Sequence, residues 1–228
     1  MIACDRFVFL HLHKSGGTFV NHMLMTCVRS AQRIGYHLPY SEMPAPFRHL
    51  PVIGTVRNPW SYYVSWFHFQ QSQAVPNPLF RLCSEDSALD FEATITNLVT
   101  LSDTPERIDA LIDAVPDRFV NHGLNLTKAC VARMRGSDAG FYTFLHDRLY
   151  AGAASPRILP MEGLREQLVD VANDLRGLDR LKVHQFLQTT PDLNVSEHLA
   201  YQDYYSADLA RLVAERDRTL IETYGYTF

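Results

Sequence analysis

The sequence predicts an α/β domain in which a parallel sheet is flanked by helices. Three observations carry that expectation. Short apolar runs of strand length recur at residues 7–10, 51–56 and 157–161, and the second is apolar almost throughout, as strands buried on both faces are. Segments with apolar residues at helical spacing follow each of them. Two of the strand exits also carry junction chemistry, Lys14-Ser15-Gly16-Gly17-Thr18 and Arg57-Asn58-Pro59.

Taken in order, residues 7–10 form the first strand. Val20, Met23, Leu24, Cys27 and Val28 then fall on one helical face, so a helix is expected from residue 18 to residue 33. Residues 34–38 read as a second short strand or extended edge ended by Pro39, and 40–49, with Pro44 and Pro46, as loop. The run 51–56 is a buried strand, after which Asn58 suits an N-cap and Pro59 the first helical position. Residues 72–90, with Pro76 and Pro78, read as loop. Helices are expected over 91–101, over 105–114 with Thr104 as cap, and over 124–134. Residues 157–161 form a further strand and 163–175 a helix. The last helix, 207–224, has Ser206 as cap, an apolar face of Leu209, Leu212, Val213, Leu220 and Ile221, and Gly225 as its stop. Repeats, low-complexity tracts and composition breaks are missing, which predicts a single domain over 1–228.

Composition narrows the function classes. With 228 residues, 46% hydrophobic and 20% charged, the chain can bury a large core. A formal net charge of −4 lacks the basic footprint of a general nucleic-acid binder. Cys4, Cys27, Cys83 and Cys130 are widely spaced with no C-x-x-C pair, so they read as reduced, buried thiols. The first apolar run is too short for a signal peptide, and no run approaches the ~20 residues of a membrane span; the expectation is a cytoplasmic protein.

The chemistry concentrates at the two junctions. A strand entering a helix through a glycine turn points several backbone N–H groups at one spot, where the helix dipole adds roughly half a positive charge. Gly16 and Gly17 let an anion approach the backbone, Lys14 brings a mobile charge and Thr18 a hydroxyl. The bland alternative is a glycine turn joining a strand to a core helix. The pattern is not G-x-x-x-x-G-K-[ST], because with Thr18 in the last position the lysine position holds Gly17 and the first glycine position holds His11. No G-x-G-x-x-G occurs either. At the second junction Arg57 leaves a strand and Ser65 lies two turns into a helix, giving two donors of different reach for a second phosphate. There the bland alternative is an arginine paired with a carboxylate and a serine on an exposed face.

The first loop resembles the 5′-phosphosulfate loop of sulfotransferases, written P-K-x-G-x-[ST] or P-K-T-G-G-T, with His13 in place of the proline. Arg57-Asn58-Pro59 through Ser65 is similar to that family's 3′-phosphate motif R-[DN]-P-x-x-x-x-x-S, and the two motifs sit on separate strand-to-helix junctions as the family requires. The resemblance extends to Ile158–Leu164, like the family's strand and E-D-L turn with Gly163 replacing the acid, and to the closing segment from Tyr204 to Tyr226. Tyr62 departs from it, standing where many relatives carry a second arginine, and Lys182 is the candidate for the family's late basic loop.

The resemblance implies a P-loop-like sulfotransferase fold, 3′-phosphoadenosine 5′-phosphosulfate (PAPS) as cofactor without a required metal, and in-line sulfuryl transfer to an acceptor hydroxyl. Lys14, Ser15, Gly16, Gly17, Thr18 and Phe19 would hold the 5′-phosphosulfate, with Lys14 neutralising the bridging oxygen; Arg57 and Ser65 would hold the 3′-phosphate. The base is assigned to His37, placed as in heparan sulfate 2-O-sulfotransferase-like members, with His13 and Glu42 as alternatives and His11 and His22 also weighed. Cys4, His11 and His13 offer no standard zinc spacing. The acceptor, a carbohydrate, lipid or small natural product, could meet one or two of Trp60, Tyr62, Tyr63, Trp66, Phe67 and Phe69, most of which read as core. Arg133 and Arg135 offer a local basic patch. The rival classes are a P-loop nucleotide or small-molecule kinase, which should carry the missing G-K-[ST] lysine, and a non-catalytic nucleotide-binding protein lacking a base.

Overall fold

In the computed structural model, which describes residues 1–174, 178–193 and 198–228, five strands form one mixed sheet. They are β1 (Ile2–Ala3), β2 (Val8–Leu10), β3 (Gln32–Arg33), β4 (Val52–Val56) and β5 (Arg157–Pro160), in the order β3-β1-β2-β4-β5. The helices are α1 (Gly17–Cys27), α2 (Pro59–Gln71), α3 (Pro78–Cys83), α4 (Phe91–Val99), α5 (Pro105–Ala114), α6 (Lys128–Ala132), α7 (Phe141–Tyr150), α8 (Leu164–Asp174), α9 (Arg180–Thr189), α10 (Ala207–Arg216) and α11 (Arg218–Tyr224). Two compact units result: Met1–Arg57 with His146–Val195, and Asn58–Leu145 with Ser196–Phe228.

The first unit holds the whole sheet. β2, β4 and β5 run parallel, with Phe9 beside Ile53 and Thr55 beside Leu159, whereas β1 is antiparallel to both β2 and β3. Side chains alternate across a strand, so Ile2, Phe9, Ile53 and Leu159 share a face. That face packs against Phe19, Val20, Met23 and Leu24 of α1, Leu168 and Val171 of α8, and Val183 and Phe186 of α9. On the other face Gly54 leaves room for Tyr150: a Cβ at Gly54 would lie 2.1 Å from the tyrosine hydroxyl. That hydroxyl accepts from the Thr55 amide and donates to the Thr55 carbonyl, both at 3.0 Å, which pins the end of α7 to β4.

In the second unit α2 is buried around most of its circumference, as a core helix must be. Trp60, Tyr62, Tyr63, Trp66 and Phe67 are all buried, and Tyr62 stacks on Tyr142 with centroids 3.8 Å apart. The aromatic run is therefore packing, with Phe69 half-buried. Asn58 caps α2 by accepting from the amides of Trp60 and Ser61 at 3.0 and 3.3 Å. A fully buried carboxylate, Asp217, accepts from Tyr63 Oη at 2.7 Å and from the Thr143 amide and hydroxyl at 2.9 and 2.6 Å. The expected closing helix 207–224 is thereby divided: Asp217 leaves helical geometry to turn its carboxylate inward, separating α10 from α11.

Several boundaries differ from the sequence expectation. The sheet is mixed rather than parallel because Ile2–Ala3, too short to show a pattern, inserts antiparallel beside β2. The first helix stops at Cys27, not residue 33, because Val28 is extended, and Gln32–Arg33 pair with β1. Residues 34–38 do not form the expected strand: His37 takes a left-handed φ of 47°, which ends extended backbone. α3 lies inside the expected loop 72–90, started by Asn77 accepting from the Phe80 amide at 2.8 Å with Pro78 next. The helix expected from 124 begins only at Lys128, since Asn125 is left-handed. α7 and α9 have weak periodicity and were not expected. Residue 175 of the expected helix 163–175 lies outside the described residues, and α8 otherwise matches it. Among the described residues no helix is long and apolar enough to cross a membrane. All four cysteines are buried and none forms a disulfide.

Candidate functional site

The chemistry-bearing residues of the first unit gather where β2 and β4 end. These strands are parallel neighbours, with Leu10 beside Gly54, so the loops that leave them emerge at the same edge of the sheet. From β2 the chain runs through His11 and His13 into a turn with two left-handed residues, Lys14 at φ 54° and Gly16 at φ 76°. Gly17 then opens α1. The Phe19 and Val20 amides close the turn on the Gly16 carbonyl at 3.1 and 3.3 Å. The amides of Gly16 and Gly17 have no backbone acceptor among the described residues and stand at the positive end of the helix.

Both glycines are also required by packing. A Cβ on Gly16 would add strain at its positive φ and come within 2.9 Å of Leu164 Cδ2; one on Gly17 would lie 1.9 Å from His11 Cδ2. The His11 ring thus forms the floor beneath the turn. Ser15 is buried and donates its hydroxyl to the His13 carbonyl at 3.1 Å, while Thr18 is exposed at the mouth.

From β4 the chain delivers Arg57, whose Nη1 donates to the Lys14 carbonyl at 3.3 Å. Burial, and after it the positive Arg57, lowers the Lys14 ammonium from its usual 10.5 to about 8. Lys14 and Arg57 are thus two cations brought together at one turn.

His37 lies beside this turn, its ring 4.4 Å from that of His11 and 5.3 Å from that of His13. His37 Nδ1 is 2.8 Å from the His11 carbonyl. A carbonyl only accepts, so Nδ1 carries the proton and the neutral ring keeps its lone pair on Nε2. Burial lowers His37 to about 4, against the smaller raising effect of that hydrogen bond. The residue nonetheless keeps part of its surface accessible. His11 and His13 are more deeply buried and are pushed well below the ordinary histidine range by the same cause. Asn21 Nδ2 is 3.0 Å from His11 Nδ1, fixing the ring under Gly17.

The remaining sequence candidates are distributed differently. Phe19 has its ring in the core, 5.6 Å from that of Phe186 and under the Arg165 guanidinium, and its amide donates to the Gly16 carbonyl at 3.1 Å. Ser65 lies on α2 in the second unit and is buried there. Glu42 ends an exposed 3-10 turn, and His22 packs against Phe186 at 5.1 Å on the outer face of α1. Lys182 stands on α9, not on a loop, within 3.9 Å of Asp179. Among the described residues no group of three or more His, Cys, Asp or Glu is placed to hold a metal, Cys4, His11 and His13 included. The supporting residues Asn21, Arg148 and Tyr150 carry no sequence motif.

Compared with protein-family models and with curated proteins, the chain matches neither.

Proposed function

We propose that the protein is a sulfotransferase, moving a sulfuryl group from PAPS to an acceptor hydroxyl on a carbohydrate, lipid or small natural product. One observation carries the reading: the turn Lys14–Thr18, with two left-handed residues and two amides lacking backbone acceptors, sits against Arg57 and beside a neutral histidine. The fit to a phosphosulfate rests on that cradle: a Cβ at Gly17 would run into the His11 ring, one at Gly16 would be strained at its positive φ, and Lys14 and Arg57 both stand at the turn.

When bound, such a cofactor supplies an activated sulfuryl group on a phosphate leaving group. The chain's own residues then have separable tasks. The Gly16 and Gly17 amides and the α1 dipole bind the 5′-phosphate, with Ser15 shaping the turn and the Thr18 hydroxyl at its mouth. Lys14 places a proton-bearing cation where charge builds on the leaving side. Arg57 takes the 3′-phosphate, and Ser65 is assigned with it on the motif spacing alone. His37 Nε2 accepts the acceptor's proton, its Nδ1–H anchored on the His11 carbonyl. Buried thiols without disulfides fit a reducing compartment, and the cytoplasm is the proposed location.

The test is a ligand-dependent thermal melt followed by an acceptor screen with labelled cofactor. Adenosine 3′,5′-bisphosphate should stabilise the protein by about 2.7 kcal/mol at a hundredfold excess over its dissociation constant, and ADP with magnesium far less. An equal or larger shift from ADP would sink the assignment and favour a kinase.

A further inference from the structure

His37 combines two features that do not persist without support: a left-handed backbone on a residue with a Cβ, and a ring held in one tautomer beside two other imidazoles. The ring is anchored by Nδ1 on the His11 carbonyl at 2.8 Å. The backbone is anchored separately, by Arg148 Nη2 donating to the His37 carbonyl at 3.1 Å. Arg148 is itself placed by rigid parts. It lies two residues before Tyr150, whose hydroxyl bonds both the amide and the carbonyl of Thr55 in β4, over the space that Gly54 leaves. A continuous path therefore joins the sheet to the His37 backbone.

We propose that Arg148 is a positioning residue that clamps the His37 carbonyl, holding that residue left-handed so that Nδ1–H meets His11 and Nε2 alone faces an acceptor. The inference rests on the reading of His37 as proton acceptor, but its test does not require turnover. If the clamp opens, residue 37 relaxes toward ordinary backbone geometry, its ring swings off the His11 carbonyl, and the imidazole populates both neutral tautomers.

The experiment is ¹⁵N-detected NMR of the histidine rings in the full chain near neutral pH, with His37 assigned by its loss in His37→Gln. Wild type should show His37 as a single Nδ1–H tautomer. Arg148→Met, which keeps the apolar stem and loses the donor, should show a tautomer mixture at His37 while the His11 signals hold. Arg148→Lys, which keeps a donor, should restore the single tautomer. In turnover, Arg148→Met should lose about 10²-fold in kcat with KM for the cofactor unchanged. A pure Nδ1–H tautomer in folded Arg148→Met would overturn the proposal. If Arg148→Met fails to fold, Arg148→Lys decides, and a tautomer mixture there would overturn it equally. Wild type with a single tautomer but no turnover on any acceptor would instead count against the sulfotransferase reading alone.

Discussion

Titrating Lys14 probes the proposed anion cradle most directly. Its ammonium is half-buried beside Arg57 and titrates at about 8 instead of 10.5. An anion bound against it would return it toward the usual value, and full return is a shift of about 2.5 units, or about 3 kcal/mol. The sign follows from linkage: above pH ~8 the free site must take up a proton to bind, so affinity falls as pH rises, by up to tenfold per unit. Between about pH 7 and about pH 9.5 the loss for adenosine 3′,5′-bisphosphate should reach about 30-fold. The ligand's phosphates ionise near pH ~6 and Arg57 keeps its charge, so neither contributes in that window. Calorimetry in two buffers of different ionisation enthalpy would count the proton as well as the affinity. Lys14→Arg keeps the charge and removes the titration, so its profile should be flat. A flat wild-type profile, or a Lys14→Arg profile as steep as wild type, would refute the reasoning.

Two further predictions concern stability. Histidines 11, 13 and 37 are neutral in the fold and depressed below their unfolded value, so their contribution is complete above pH ~6.5 and is lost as pH falls. His37 alone, held at about 4, should account for about 2 kcal/mol between pH ~6.5 and ~5; urea unfolding at both values, in wild type and His37→Gln, measures it, and equal pH dependence in the two proteins would contradict it. Because the ring is already neutral well below pH ~6.5, turnover at saturating cofactor should be flat through neutrality and fall in acid, and an inflection near pH ~6.5 would exclude His37 as the base. Asp217→Ala strips the acceptor from Tyr63 and from both Thr143 donors in a buried site, and should lower stability by about 3 kcal/mol in thermal unfolding; a change within about 0.5 kcal/mol would mean that those donors find other partners.

What the sequence determined by itself is local in origin. Strand and helix identity at 51–56, 91–99, 105–114 and 157–160 follows from apolar period and length, and the Asn58, Pro59, Ser206 and Gly225 boundaries follow from capping chemistry that acts within three residues. The strand-to-helix turn at Lys14–Thr18 was legible for the same reason: glycines, a lysine and a hydroxyl between a strand and a helix impose their geometry on their own neighbours. Tertiary structure decided everything that depends on distant partners. β1 and β3 are two residues each: Ile2 and Ala3 pair with Phe9 and Val8 on one side and with Arg33 and Gln32 on the other. Asp217 breaks an otherwise continuous amphipathic helix because Tyr63 and Thr143 wait for its carboxylate. His37 stood out in the sequence as a candidate base, but its hydrogen bond to the His11 carbonyl, the bond from Arg148 to its own carbonyl and the burial that lowers its proton affinity are tertiary. Those are contacts across 26 and 111 residues, and no periodicity in the chain records them.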